Sequence, residues 1–132
     1  MGRMIYMLDT NAVSNAAMNR GKVRETMLGH SPSNIFVSNI VLAELMYGFA
    51  KKSRPTLQAT TEALLSTMTV LDWDDSVSDV YPAFRVGIEA KGRSLSYMDM
   101  MIAAHAHSIG AILVSSDAGM HNALADNVVD WY

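Results

Sequence analysis

Cysteine is absent from the 132 residues, which excludes disulfides and thiolate metal sites and fits a reducing cytoplasm. No apolar run approaches the roughly 20 residues a membrane span needs, so no membrane partner is expected. The start, Met1 to Asp9, carries one Arg and only a short apolar run, so no secretory signal is expected either. Repeats, low-complexity tracts and interdomain linkers are missing as well. So is an excess of positive charge: the net charge is −3, which at first argues against a nucleic-acid partner. What is present is a half-hydrophobic chain with 17% charged residues, the composition of a soluble globular protein. Its length suits one domain over residues 1–132 with one sizeable core, and not two.

The pattern along the chain alternates short apolar runs with helical periodicity. Arg3 to Leu8 reads as a buried strand ending at Asp9. Asn11 to Asn19 and Lys22 to Leu28 read as short helices, and Gly29 to Ser33 as a turn. Asn34 to Ser38 is a second strand. Ser38 or Asn39 then caps a helix with Val41, Leu42, Leu45, Met46 and Phe49 at helical spacing. Pro55 opens a helix that continues from Leu57 to Met68. Thr69 to Trp73 is a third strand. Asp74 or Asp75 caps a long helix to about Ala90, where Pro82 marks either a bend or the true beginning. Ser96 is a cap for Tyr97 to Ser108, Ala111 to Val114 a fourth strand, and Val128 to Trp131 a fifth. Strands that are apolar on both faces and alternate with helices imply an α/β protein, a parallel sheet of about five strands covered on both sides. Right-handed crossovers then gather the strands' carboxyl ends on one edge, where such folds place ligands.

Four acids fall where that edge would collect them. Asp9 and Asp117 follow the first and fourth strands, and Glu44 and Asp99 occupy early turns of helices that leave the edge. Each has a bland reading: a helix cap for Asp9 and Asp117, a solvent-facing residue for Glu44, a dipole partner for Asp99. The helix around Asp99 is apolar nearly all round, from Met98 to Ala104, so a carboxylate there needs a cation or a proton. Mg²⁺ takes hard oxygen ligands, and several carboxylates around one or two ions suit phosphodiester hydrolysis. Thr10, Asn11, Ser38 and Ser115 would hydrogen-bond and orient the acids. Setting four metal-bound acids aside takes the remaining charge from −3 to +1. The bases are clustered at Arg20, Lys22 and Arg24, at Lys51, Lys52 and Arg54, and at Lys91 and Arg93. Arg85, Lys91 and Arg93 are candidates to hold nucleic-acid phosphates, against the alternative of ordinary solvated surface.

The segments Leu8-Asp9-Thr10-Asn11, Ser38 with Ala43-Glu44-Leu45-Met46-Tyr47-Gly48, and Asp99 with Ile102-Ala103-Ala104-His105-Ala106 resemble the PIN-domain signatures of VapC toxins. The closing Val129-Asp130-Trp131 is similar to the last strand of many bacterial members. The resemblance covers essentially Met4 to Tyr132 and implies a three-layer α/β/α PIN-like fold. It implies a Mg²⁺-dependent endoribonuclease, with Mn²⁺ as substitute, whose acidic triad is Asp9, Glu44 and Asp99 and whose less regular fourth acid is Asp117. It also implies a VapB-type antitoxin partner, a toxin homodimer, a higher hetero-oligomer with the antitoxin, and operator DNA bound only through the antitoxin. The motif style is similar to enteric-type members that attack the anticodon loop of initiator tRNA, which makes that RNA a substrate hypothesis. Ser115 and Met120 stand where the family more often carries Thr and Phe.

His105 is six residues from Asp99 and shares a face with it poorly, so packing or a dimer contact is expected of it and of His107. Tyr47 and Trp73 are expected in the core rather than on bases, and the eleven methionines as adaptable packing. A phosphotransfer enzyme using Asp9 would want a second Asp where Asn11 stands, or a Lys after the fourth strand, where Ser115-Ser116 stands. A catalytically silent PIN-like binding module is opposed by the presence of all four acids.

Overall fold

Tyr6–Leu8 forms β1 at the centre of a five-stranded, all-parallel sheet. The computed structural model describes residues 3–132. Met7 and Leu8 are fully buried, as an apolar central strand requires. The chain continues through α1 (Thr10–Met18), α2 (Val23–Leu28) and β2 (Ile35–Ser38). Next come α3 (Asn39–Lys51), α4 (Pro55–Leu65) and β3 (Thr69–Leu71). Then follow α5 (Asp75–Ala90), α6 (Tyr97–Ser108), β4 (Ile112–Val114), α7 (Ala118–Leu124) and β5 (Val128–Val129). The strand order is β3-β2-β1-β4-β5.

That order sets the layers. From β1 the chain steps outward to β2 and β3, then returns past β1 to β4 and β5. Right-handed crossovers in opposite directions put α1–α4 on one face and α5–α7 on the other. The result is the expected three-layer α/β/α arrangement. The strand order reverses between β1 and β4, which pair in register from Tyr6–Ile112 to Leu8–Val114. The crevice at the carboxyl end of such a pair is where open α/β sheets bind ligands.

The elements are shorter at their ends than their apolar runs suggested. Trp73 leaves the third strand because its side chain and backbone are claimed elsewhere. Its N–H donates to Asn39 Oδ1 (3.0 Å) and its indole N–H to the Met101 carbonyl (2.9 Å). Trp73 is half-buried and lies edge-on to Tyr81, at the margin of the core rather than in it. Pro82 neither begins nor breaks α5: it lies inside the helix and is exposed. Tyr47 corrects the sequence reading, because it is 66% exposed rather than in the core. Helical spacing gives α3 its buried side through Val41 and Leu45, and Tyr47 falls off that side. The helix α7 was not legible as an element, since Gly119 and its short length blur the period.

The carboxyl terminus closes on the start of the chain. Trp131 stacks on His30 at 5.0 Å between centroids and tilts against Tyr6 at 4.9 Å. Gly21 has φ of +59°, and a Cβ there would lie 2.6 Å from the Tyr132 carbonyl oxygen. Only glycine fits that turn, which lets the Lys22 N–H reach the same oxygen at 2.8 Å.

Candidate active site

Asp9 is the first residue past β1, and it does two jobs. Its carboxylate accepts from the Ala12 N–H at 2.8 Å and caps α1. Its own N–H donates to the Val114 carbonyl of β4 (3.1 Å), which fixes it at the strand reversal. The residue is only 6% exposed. Burial pushes its carboxyl above the ordinary carboxylate range; hydrogen bonds from Ser115 and Ala12 oppose the rise, while the charges of Asp99 and Asp117 add to it.

Ser115 and Asp117 come from the neighbouring strand end. The buried Ser115 hydroxyl accepts from the Asp117 N–H at 3.0 Å and lies close enough to the Asp9 carboxylate to oppose the rise of its pKa. Asp117 in turn caps α7 through the Met120 N–H (3.1 Å). His121, one turn on, bonds the Ser115 carbonyl through Nε2 at 2.7 Å and holds this turn closed. Sequence reasoning missed His121, because its spacing from Asp117 means something only once α7 is known to be a helix.

Asp99 lies in the first turn of α6, whose cap is Ser96: the Ser96 hydroxyl accepts from the Asp99 N–H at 3.2 Å. Burial raises the Asp99 carboxyl, a hydrogen bond with Ser96 opposes this, and the charges of Asp117 and Glu44 raise it further. Glu44 reaches the group from α3 and is half-buried. Thr10, the first residue of α1, donates its hydroxyl to Glu44 Oε1 at 2.6 Å. Asp9, Asp99 and Asp117 therefore stand within electrostatic reach of one another, and Glu44 within reach of Asp99, although the four come from separate elements.

The helper residues divide. Thr10 donates to the Glu44 carboxylate, and Ser115 accepts from the Asp117 backbone N–H. Asn11 is exposed. Ser38 is fully buried, but its hydroxyl accepts from the Ile40 N–H (3.2 Å) and pairs with His105 Nδ1 (2.7 Å), so it serves α3 and a histidine rather than the carboxylates. His105 is thus a packed histidine, held toward the neutral form by burial, against the opposing charges of Asp74 and Asp72. His107 is exposed and lies against Phe84. Arg85 is already engaged: it pairs with Glu89 (3.3 Å), donates to the Tyr81 hydroxyl (3.2 Å) and lies over the Tyr97 ring (5.1 Å). Lys91 and Arg93 are exposed on the turn after α5.

No acid of the site is offset by the protein: Arg85–Glu89 is the one ion pair among the described residues. Two desolvated carboxyls with like-charged neighbours and no basic partner fit a divalent cation, which would offset their desolvation and mutual repulsion. Among the described residues no group of three His, Asp or Glu side chains forms a ready-made metal cage. Mg²⁺ typically uses one or two carboxylates, waters and substrate phosphates rather than such a cage, so an open acidic crevice suits it.

The PIN domain family pattern matches residues 6–125. Ribonuclease VapC2 of Haemophilus influenzae is 34% identical over 113 residues, 85% of this chain and 86% of that protein. The tRNA(fMet)-specific endonuclease VapC of Shigella flexneri is 30% identical over the same shares of the two chains. Among solved structures, VapBC2 from Rickettsia felis, bound to a DNA fragment from its promoter, superposes with a TM-score of 0.85 at 30% identity. That match covers 98% of this chain and 100% of the other.

Proposed function

From the premise that the chain belongs to the PIN-domain family, we propose that it is the toxin of a type II toxin–antitoxin pair. As a VapC-type member it is a nuclease, a hydrolase of phosphodiester bonds. Its substrate is RNA, cut internally to stop translation, with the anticodon loop of initiator tRNA as the specific target. The name of the Shigella relative supports that target. A VapB-type antitoxin is its partner, it forms a homodimer and higher complexes with that antitoxin, and operator DNA is held through the antitoxin; the antitoxin-bound, promoter-bound relatives support this. Residues 1–132 act as one PIN domain. Among the described residues no helix is long and apolar enough to cross a membrane, and the cytoplasm is the compartment where such an RNA is met.

The observation that supports the reading is that Asp9, Asp99 and Asp117 act on one another electrostatically, with Glu44 acting on Asp99, and that none has a basic partner among the described residues. These four would hold the metal, Mg²⁺ or Mn²⁺. When bound, it supplies Lewis acidity at the phosphoryl oxygen and a water of lowered pKa. The chain's own contribution is orientation. Thr10 fixes the Glu44 carboxylate, the Ala12 N–H that of Asp9, and the Met120 N–H that of Asp117. Ser96 holds Asp99 through its backbone N–H. Preset ligands of this kind lose little freedom when the site is occupied.

Asp99→Asn tests the assignment. It keeps the size and the helix cap, so the fold should remain and RNA cleavage in Mg²⁺ should vanish. Mapping RNA 5′ ends after induction of each form would name the substrate. Full activity of purified Asp99→Asn would refute the assignment.

A further inference from the structure

Tyr97 is the first residue of α6 and is 73% exposed, although a tyrosine of this size normally buries much of its ring. One face of the ring is covered by the Arg85 guanidinium, 5.1 Å from the centroid. Arg85 is itself fixed by the Tyr81 hydroxyl (3.2 Å) and by Glu89 (3.3 Å). The ring is therefore braced from behind, and its outer face is open. A braced ring loses less side-chain freedom when something stacks on it than a free one does. Met98 beside it is also partly exposed, at 39%. Lys91 and Arg93, both exposed, lie on the connection that leads into α6.

We propose that Tyr97, braced by Arg85, is a stacking platform for an unpaired base of the RNA next to the one being cut. Tyr97 and Asp99 are two residues apart on one helix. Helix geometry puts their Cα atoms about 5.4 Å apart, with side chains diverging by about 160°. The residue that faces the acids and the residue that carries the ring thus serve different parts of the strand: a phosphate at Asp99 and the base of a flanking nucleotide at Tyr97. Every base has a π-face, so such a platform tolerates sequence, but it demands an unstacked nucleotide and selects loops over duplex. It also gives Arg85 a use other than a phosphate contact, acting through the ring, while Lys91 and Arg93 remain for the backbone. The proposal rests on the ribonuclease reading.

The test is steady-state cleavage, in Mg²⁺, of a labelled single-stranded oligoribonucleotide carrying the mapped cut site. Tyr97→Ala should raise KM about tenfold, in line with the cost of losing one base–aromatic stack, and leave kcat within about twofold. Tyr97→Phe should restore KM. With an abasic nucleotide scanned through the flanking positions, one RNA should show the raised KM with the unsubstituted protein and no further loss with Tyr97→Ala. An unchanged KM for Tyr97→Ala overturns the platform, as does a full defect on every abasic RNA. Loss of antitoxin binding with normal cleavage overturns it too, marking the ring as a protein contact. Failure of the unsubstituted protein to cut any RNA is a separate result: it overturns the ribonuclease reading, and the platform with it.

Discussion

Replacing Thr10 by Val removes one hydroxyl and keeps the shape of the side chain. In the folded protein that hydroxyl donates to Glu44 Oε1 at 2.6 Å, joining the start of α1 to α3. A hydrogen bond to a charged acceptor contributes about 1.5–3 kcal/mol, which is a factor of about 10–150 in an equilibrium constant. Glu44 is half-buried, so water would replace part of the lost bond, and the lower end applies. Loss of groups that orient metal ligands typically costs 10–100-fold in metal affinity or activity, in the same range. Thr10→Val should therefore raise the Mg²⁺ concentration for half-maximal cleavage about tenfold. Thr10→Ser, which keeps the hydroxyl, should stay within about threefold. Cleavage rate titrated against Mg²⁺ reads both. Half-saturation of Thr10→Val within twofold of the unsubstituted protein would refute the claim that Thr10 positions Glu44.

Asp9→Asn should separate stability from activity. Burial raises the folded Asp9 carboxyl above its unfolded value of 3.8, and Asp99 and Asp117 add to the rise. Its contribution to stability is thus complete below the unfolded value and is lost as pH rises through the folded one. Asn still accepts the Ala12 N–H, so in metal-free buffer at neutral pH the variant should resist urea better than the unsubstituted protein, with the gain fading at acid pH, while cleavage is lost. A neutral-pH destabilisation would count against this account. Ser38→Ala should be costly for another reason. It removes the cap of α3 and leaves the buried His105 Nδ1 without its partner, about 2–3 kcal/mol together. A fall of roughly 10 °C in thermal midpoint is expected, and a shift under about 3 °C would show that the pair is not a structural lock.

Much of this protein is written in local patterns. The apolar runs of β1, β2 and β4 and the caps at Ser38, Asp74 and Ser96 are properties of a few adjacent residues, so they were legible. So was the likelihood that Asp9 and Asp117 end strands of one sheet edge, because parallel α/β order forces it. Asp9 caps α1, as its position suggested, and it also lies within electrostatic reach of Asp99 and Asp117. What the local pattern lacked was partner choice across long stretches of chain. Ser38 and His105 are 67 residues apart and Thr10 and Glu44 are 34 apart. No spacing rule distinguishes a hydroxyl that serves a carboxylate from one that serves a histidine.

The exposure of Tyr47 and the engagement of Arg85 were illegible for a related reason. Periodicity tells which residues share a helix face, but a face is buried only if another element covers it. The sequence by itself determined the strands, the helices other than α7 and the residue types able to hold a hard cation. The tertiary structure alone decided that the sheet reverses between β1 and β4. It decided that Asp9, Asp99 and Asp117 come within electrostatic reach of one another, and Glu44 within reach of Asp99, with no ion pair to offset them among the described residues. It also decided that the Arg85 charge is spent on Tyr97, Tyr81 and Glu89. Desolvation and charge coupling act through space over a few ångströms, and folding is what brings distant residues that close.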